Sequence, residues 1–499
     1  MVRAVGGNHP FERLIGVSSA TSAAARRRRR SPGCDRVRAA APKPRDPEGF
    51  TWEFRTTASV GVPDIRTSEG KLPRMTGDEI SEGNDAHPTA TPQLRRRLGV
   101  FDSVMIGLGS MIGAGIFAAL GPAASAAGGA LLVGLAVAAV IAYCNAHSSA
   151  RLAALYPQSG GTYVYGRERL GPFFGYLAGW GFVVGKTASC AAMALTVGAY
   201  AWPGREHLVA VAAVAAITAV NYLGVQKSAL VTRVIVFVVL AVLAVVVVVC
   251  LTGSATGFDG LAITSGHGVA GVLQAAGLLF FAFAGYARIA TLGEEVKDPA
   301  RTISRAIPIA LAITLVVYLC VAVAVLQALG ADALAAATDP LAQAVAAVGF
   351  GGLEPVVRVA AVVAALGSLL ALILGVSRTT FAMARDGHLP RLLDAVHPRF
   401  AVPYRAELAV GVVVALLAAT ADLRGVIGFS SFAVLVYYLI ANASAWTLSA
   451  KPWSRLVAVV GAVGCVVLAA FLPLASVISG VIVLGVGSAI YGIRSSRRA

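Results

Sequence analysis

Charge is the scarcest property of this 499-residue chain. Asp, Glu, Lys and Arg make up 13% of it, about half of the roughly 25% usual in soluble domains. With 57% hydrophobic residues and a mean hydropathy of +0.76, this shortage excludes an ordinary water-soluble enzyme. It equally excludes a chain disordered throughout, which requires low hydrophobicity. Aromatics are sparse at 7%, and only six cysteines are present. They stand too far apart for a zinc site or a disulfide framework. Cys144, Cys190, Cys250, Cys320 and Cys465 lie in apolar stretches and read as small membrane residues, while Cys34 carries no legible signal. What is abundant is glycine, with 54 residues, which fits closely packed membrane helices.

The charge is unevenly placed. Residues 1–97 hold 18 Lys and Arg against 11 Asp and Glu, and residues 98–499 hold 23 against 14. A basic balance suits nucleic acid, but here it follows the short loops between apolar stretches, which is what membrane topology requires. No nucleic-acid partner is expected. Residues 1–97 contain no apolar run, and their Arg-, Pro- and Ser-rich composition predicts a disordered segment. It is not a secretory signal, because nothing apolar follows Arg26 to Arg30. Two readings stand: a cytoplasmic tail touching anionic lipid, or a native start at Met75. The second is preferred, because Arg95, Arg96 and Arg97 already anchor the first span.

From residue 98 onward apolar stretches follow one another. A span takes about 20 residues, and the pattern predicts about twelve, near 100–125, 129–155, 171–200, 206–224, 229–253, 267–292, 305–330, 355–384, 405–421, 424–449, 454–473 and 475–494. The predicted alternation puts eighteen Lys and Arg on one side and only Arg205, Arg358 and Arg424 on the other. This places both termini in the cytoplasm of a multi-pass inner-membrane protein. The longest outer connection, 331–352, is Ala-rich, and Asp339-Pro340 predicts a short helix start over the outer face.

Two spans carry matching oddities. The first holds Gly109-Ser110-Met111-Ile112-Gly113-Ala114-Gly115-Ile116-Phe117, and the sixth, five spans later, holds Phe280-Phe281-Ala282-Phe283-Ala284-Gly285-Tyr286-Ala287-Arg288. Either alone reads equally well as tight small-residue packing. As a pair at corresponding places they point to discontinuous helices of an inverted repeat, with a substrate site between them. Unpaired backbone is costly in lipid, so it persists only where something takes it up. Amide N–H groups at the start of a resumed half-helix suit a carboxylate, and carbonyls at the end of the preceding half suit an ammonium. Together they recognise a zwitterion.

At these residues the chain resembles the amino acid–polyamine–organocation superfamily, and within it the bacterial relatives of cationic amino acid transporters. The matching motifs are Ile112 to Phe117, Pro157-Gln158-Ser159-Gly160-Gly161-Thr162-Tyr163, Gly285 to Pro299, and Ser377-Arg378 through Pro390 with His397-Pro398-Arg399-Phe400. The resemblance covers about residues 95–499. It implies an all-α integral membrane fold of the leucine-transporter type, with about twelve helices in a 5+5 inverted repeat and broken helices one and six. The ten-helix core would occupy 98–449, and two further helices 450–499. It implies amino acid uptake or exchange by alternating access. The substrate carboxylate would meet the N–H groups of Ala114 and Gly115 beside Ile112 and Gly113. The amine would meet the carbonyls of Met111, Phe281 and Ala284 near Gly285, with Phe281 as lid. Relatives commonly carry an acid where Ala287 stands and a small neutral residue where Arg288 stands, so this chain favours neutral or acidic amino acids.

Lys186 lies mid-span, where a Lys costs roughly 2.5–3.5 kcal/mol to insert. It is either a structural peg for freed carbonyls or a group that gains and loses a proton during transport. Arg288 pairs with Glu294 or Glu295, closes an inner gate, or merely snorkels. Glu294 and Glu295 are candidate gate partners of loop cations. Ser368, Ser377, Thr379 and Thr380 offer hydroxyls to sodium, but such hydroxyls more often bond to helix backbone, so proton ranks above sodium as coupling ion. No cofactor is expected. His147, His207, His388 and His397 form no ligand cluster, and no Gly-Lys-Ser/Thr loop follows a strand, which argues against ATP-driven transport. The expected function is proton-coupled amino acid transport. The alternatives are an amino acid/polyamine exchanger and a non-transporting membrane sensor. No mid-plane constellation of His, Asp, Ser or Cys supports an enzyme.

Overall fold

The computed structural model describes residues 98–496, apart from 114, 158–159, 225–228, 254–267, 294, 401 and 449–450. The expected disordered segment 1–97, with Cys34 and Met75, lies outside the described residues. Every regular element among the described residues is helical, and one isolated bridge joins Leu98 to Val296.

The first apolar stretch is divided. Helix α1 spans Val100–Met111 and α2 spans Gly115–Ala118. Helix α3, Leu120–Ala127, continues α2, because Ala119 N–H donates to Gly115 O at 2.9 Å and Ala123 N–H donates to Ala119 O at 3.1 Å. Helix α4 is Leu131–Leu155, α5 is Thr162–Leu170 and α6 is Pro172–Ala201. Then come α7, Glu206–Tyr222, and α8, Ala229–Gly253. The sixth apolar stretch contains α9, Gly268–Phe283, a 3-10 turn at Ala284–Tyr286, and α10, Ala287–Ala290. Helix α11, Pro299–Ala336, kinks at Gly330, and α12 covers Pro340–Ala347. Helices α13, Glu354–Arg385, α14, Tyr404–Thr420, α15, Leu423–Trp446, α16, Pro452–Phe471, and α17, Leu474–Ser496, complete the order.

Local chemistry sets these boundaries. Pro172, Pro299, Pro340, Pro355 and Pro452 stand in first turns, where a missing N–H costs nothing. Asp422 accepts a hydrogen bond from Gly425 N–H at 2.8 Å and so caps α15. Asp339-Pro340 opens the predicted short helix α12, although the Asp339 carboxylate turns to Arg358 rather than capping the helix.

Helix α6 is buried along most of its length, packed on α5, α7, α13 and α15, while α9 packs on α3, α4 and α15. Peripheral helices turn large aliphatic side chains outward, as Val234, Phe237, Val238, Val245 and Val248 do on α8. An exposed apolar surface of this kind requires lipid. Among the described residues ten helical segments are long and apolar enough to cross a membrane, so this is a multi-pass membrane protein. Two 17-residue helices, α7 and α14, lie where the sequence pattern predicts the fourth and ninth spans.

Candidate substrate site at two helix interruptions

One cavity of about 700 Å³ runs from the middle of the bundle to the end of the molecule that carries Arg167, Arg378 and Arg385. Its wall brings together the predicted Met111, Gly115, Phe281, Ala284, Gly285, Lys186, Arg288 and Glu295. Ile112 and Gly113 face elsewhere, toward a small separate pocket between α1, α8 and α13 that Ser368 also lines. Ala114 and Glu294 lie outside the described residues.

The interruptions differ from the expectation in one respect. Near Gly113 the helix does stop, at Met111, and resumes at Gly115. Near Gly285 it is not unravelled; it tightens into a single 3-10 turn whose flanking residues Phe283 and Ala287 keep right-handed helical angles. The reason is proximity. A Cβ on Gly285 would stand 2.4 Å from Ser110 O, so glycine lets this turn lie directly on the backbone of α1, and the approach leaves no room for a wider loop.

Carbonyls near the interruptions find donors on neighbouring helices. The Tyr318 hydroxyl, from α11, lies 2.6 Å from Met111 O and 3.0 Å from Ala282 O. The Ser368 hydroxyl donates to Gly109 O at 2.7 Å. Lys186 Nζ donates to Ala284 O at 3.3 Å, and the Tyr438 hydroxyl reaches the same oxygen at 3.4 Å. A carbonyl oxygen has two lone pairs. Met111 O therefore keeps one for a ligand, and Ala284 O keeps none unless Lys186 or Tyr438 gives way. Lys186 is buried and forms no ion pair among the described residues. Arg288 likewise forms none, with Glu295 or any other described carboxylate. Ser377 and Thr379 bond to their own helix, at Ile373 O and Gly375 O.

The two ends of the path contrast. At the Arg-rich end the Tyr163 hydroxyl donates to Asp386 and sits 3.0 Å from His388 Nδ1, and Arg167 lies 3.6 Å from Asp386. Burial and the neighbouring Asp386 carboxylate push the Tyr163 hydroxyl above its ordinary range, so it remains a donor. At the other end the chain is packed shut. The Tyr200 hydroxyl donates to Phe117 O at 3.2 Å and accepts from Leu341 N–H at 3.4 Å. Arg358 donates to Tyr200 O at 3.2 Å and pairs with Glu354 at 2.9 Å and with the buried Asp339. Sequence reasoning missed Tyr318 and Tyr438, and read Arg358 only as a cation of the outer side, not as a partner of Tyr200 and Asp339. The only signal was a phenol or a guanidinium within an otherwise apolar stretch. Among the described residues no three His, Cys, Asp or Glu come together as metal ligands.

The sequence profile of the amino acid permeases matches residues 98–492, nearly the whole described chain. The chain belongs to this family. An uncharacterized transporter of Mycobacterium tuberculosis is 70% identical over 412 residues, covering 82% of this chain and 93% of that protein. The branched-chain amino acid permease BcaP of Bacillus subtilis is 28% identical, covering 65% of this chain and 74% of its own. A methylthioribose transporter of the same organism is also 28% identical, covering 81% and 95%. The permease is thus a membrane transporter for a small molecule, set in a lipid bilayer.

Proposed function

We propose that this permease is a secondary active transporter that moves amino acids across the cytoplasmic membrane by alternating access, driven by protons. The observation that carries the reading is the meeting of both helix interruptions, with Lys186 between them, on one cavity that ends at the Arg-rich side. By the distribution of loop cations that side is cytoplasmic, and the conformation described is inward-open. Adding α7 and α14 to the ten long segments makes twelve crossings, in keeping with two five-helix halves and two further helices. The backbone at Gly115 and the carbonyl of Met111 hold the zwitterion, and Phe281 covers it.

Lys186 supplies the coupling. Its ammonium donates to Ala284 O in the 3-10 turn, and loss of its proton turns a charge-assisted bond into a weaker neutral one, so the hold of α6 on that turn loosens. Proteoliposomes test this. Lys186→Ala is expected to abolish uptake driven by a pH gradient while internal and external substrate still exchange; survival of proton-driven uptake removes Lys186 from the coupling step. A thermal-shift screen against the twenty amino acids, several polyamines and methylthioribose tests the substrate class.

A further inference from the structure

The polar lining of the cavity is unbalanced. Five of its residues are cations, Lys186, Arg167, Arg288, Arg378 and Arg385, and two are carboxylates, Glu295 and Asp386. The Asp386 carboxylate is already engaged by Tyr163 and Arg167. Three of the arginines stand toward the mouth, where loop cations are ordinary. Arg288 is different. It starts its side chain in α10, directly after the turn that touches the substrate site, and lines the cavity. Glu295 attracts it and Arg378 repels it, but neither of these charges is in contact with it, and its guanidinium makes no ion pair among the described residues. A Cβ on Gly375 would stand 4.0 Å from Arg288 Nη1, so the guanidinium reaches from α10 to α13, both of which line the cavity. Lys186 is bonded at Ala284 O, in the 3-10 turn that precedes the helix carrying Arg288.

Two cations on the wall of one cavity, one buried and one half-buried, with no ion pair to either among the described residues, call for anionic charge. A zwitterion supplies one carboxylate and brings an ammonium that neither cation can receive. A second carboxylate on the same molecule, left over once the first meets the backbone at Gly115, supplies the counter-charge that Arg288 lacks. We infer that the cavity selects amino acids with an anionic side chain, the side-chain carboxylate docking in the fork of Arg288. The planar guanidinium binds a carboxylate through two parallel N–H bonds, which an ammonium does not match. Cationic substrates are repelled by the same pair. This inference rests on the amino acid transport reading above and deepens it.

The test compares L-glutamate, L-aspartate, L-leucine and L-arginine at matched ionic strength, by thermal shift and by competition for bound radiolabelled glutamate on the full-length protein. Glutamate or aspartate is expected to bind at least about tenfold more tightly than leucine, with arginine weakest. Arg288→Gln is expected to remove that preference, weakening glutamate about tenfold or more while leaving leucine within about twofold. Arg288→Lys keeps the charge without the fork and is expected to fall between. If Arg288→Gln does not fold, the wild-type ligand ranking alone decides. Leucine binding as tightly as glutamate, or arginine binding best, overturns the inference and leaves the transport reading standing. No binding of any amino acid overturns the transport reading itself.

Discussion

Between Met111 and Gly115 the helix stops, whereas between Phe283 and Ala287 it only tightens, yet both places face the same cavity. The wall opposite each glycine accounts for the difference. Gly285 lies against main chain, the Ser110 carbonyl, which is fixed in α1. Gly113 lies against a side chain, Ser368, whose hydroxyl can turn. The donors differ too. One phenol, Tyr318, serves carbonyls of both interrupted stretches, while Ala284 O has two donors from two helices. The first interruption is therefore held by the shared Tyr318 and by Ser368 at Gly109 O, and the second by close approach plus a redundant pair.

The largest effect is expected from Gly285→Ala. The added methyl meets backbone 2.4 Å away, so a loss of about 3–4 kcal/mol or failure to fold is expected. Monodisperse yield and the thermal unfolding midpoint report it. Gly113→Ala is its control. Ser368 Oγ can rotate, giving up its bond to Gly109 O, and Ser368 Cβ, 2.5 Å from the new methyl, has to yield by a small shift of α13. About 1–3 kcal/mol is expected. Equal tolerance of the two changes would break the contrast between a main-chain wall and a side-chain wall.

Next in size is Tyr318→Phe, which strips the shared donor from Met111 O and Ala282 O. Thermal unfolding should show a loss of about 2–3 kcal/mol, because the one O–H that Met111 O and Ala282 O share is gone and a buried carbonyl is left without that donor. The smallest effect belongs to Tyr438→Phe, since Lys186 still serves Ala284 O; below about 1 kcal/mol is expected. A larger loss from Tyr438→Phe than from Tyr318→Phe reverses the assignment of shared and redundant donors.

Much of this was legible in the residues. Long apolar runs marked the helices, because a span must satisfy its own backbone, and the glycine pair at 113 and 115 marked where the first helix stops. The Asp339-Pro340 pair marked α12. The tightening at Gly285 was not legible, because it depends on Ser110, a residue of the first span, far away in the chain. Nor did the sequence show that Ile112 and Gly113 turn away from the cavity that Met111 and Gly115 line, since a stopped helix has no fixed period. Tyr318 and Tyr438 gave no warning either: an isolated phenol in a helix has the same local sequence whether it bonds a freed carbonyl or a neighbouring chain.

Helices α7 and α14 have 17 residues each and pack against each other. At about 1.5 Å per residue each measures roughly 26 Å, short of the roughly 30 Å hydrocarbon layer. Counted as crossings, two short neighbours on one flank pull the leaflets together there, while longer helices such as α6 and α13 hold them apart elsewhere. The bilayer around this permease is then wedge-shaped, and lipids with shorter acyl chains should gather along the α7–α14 flank.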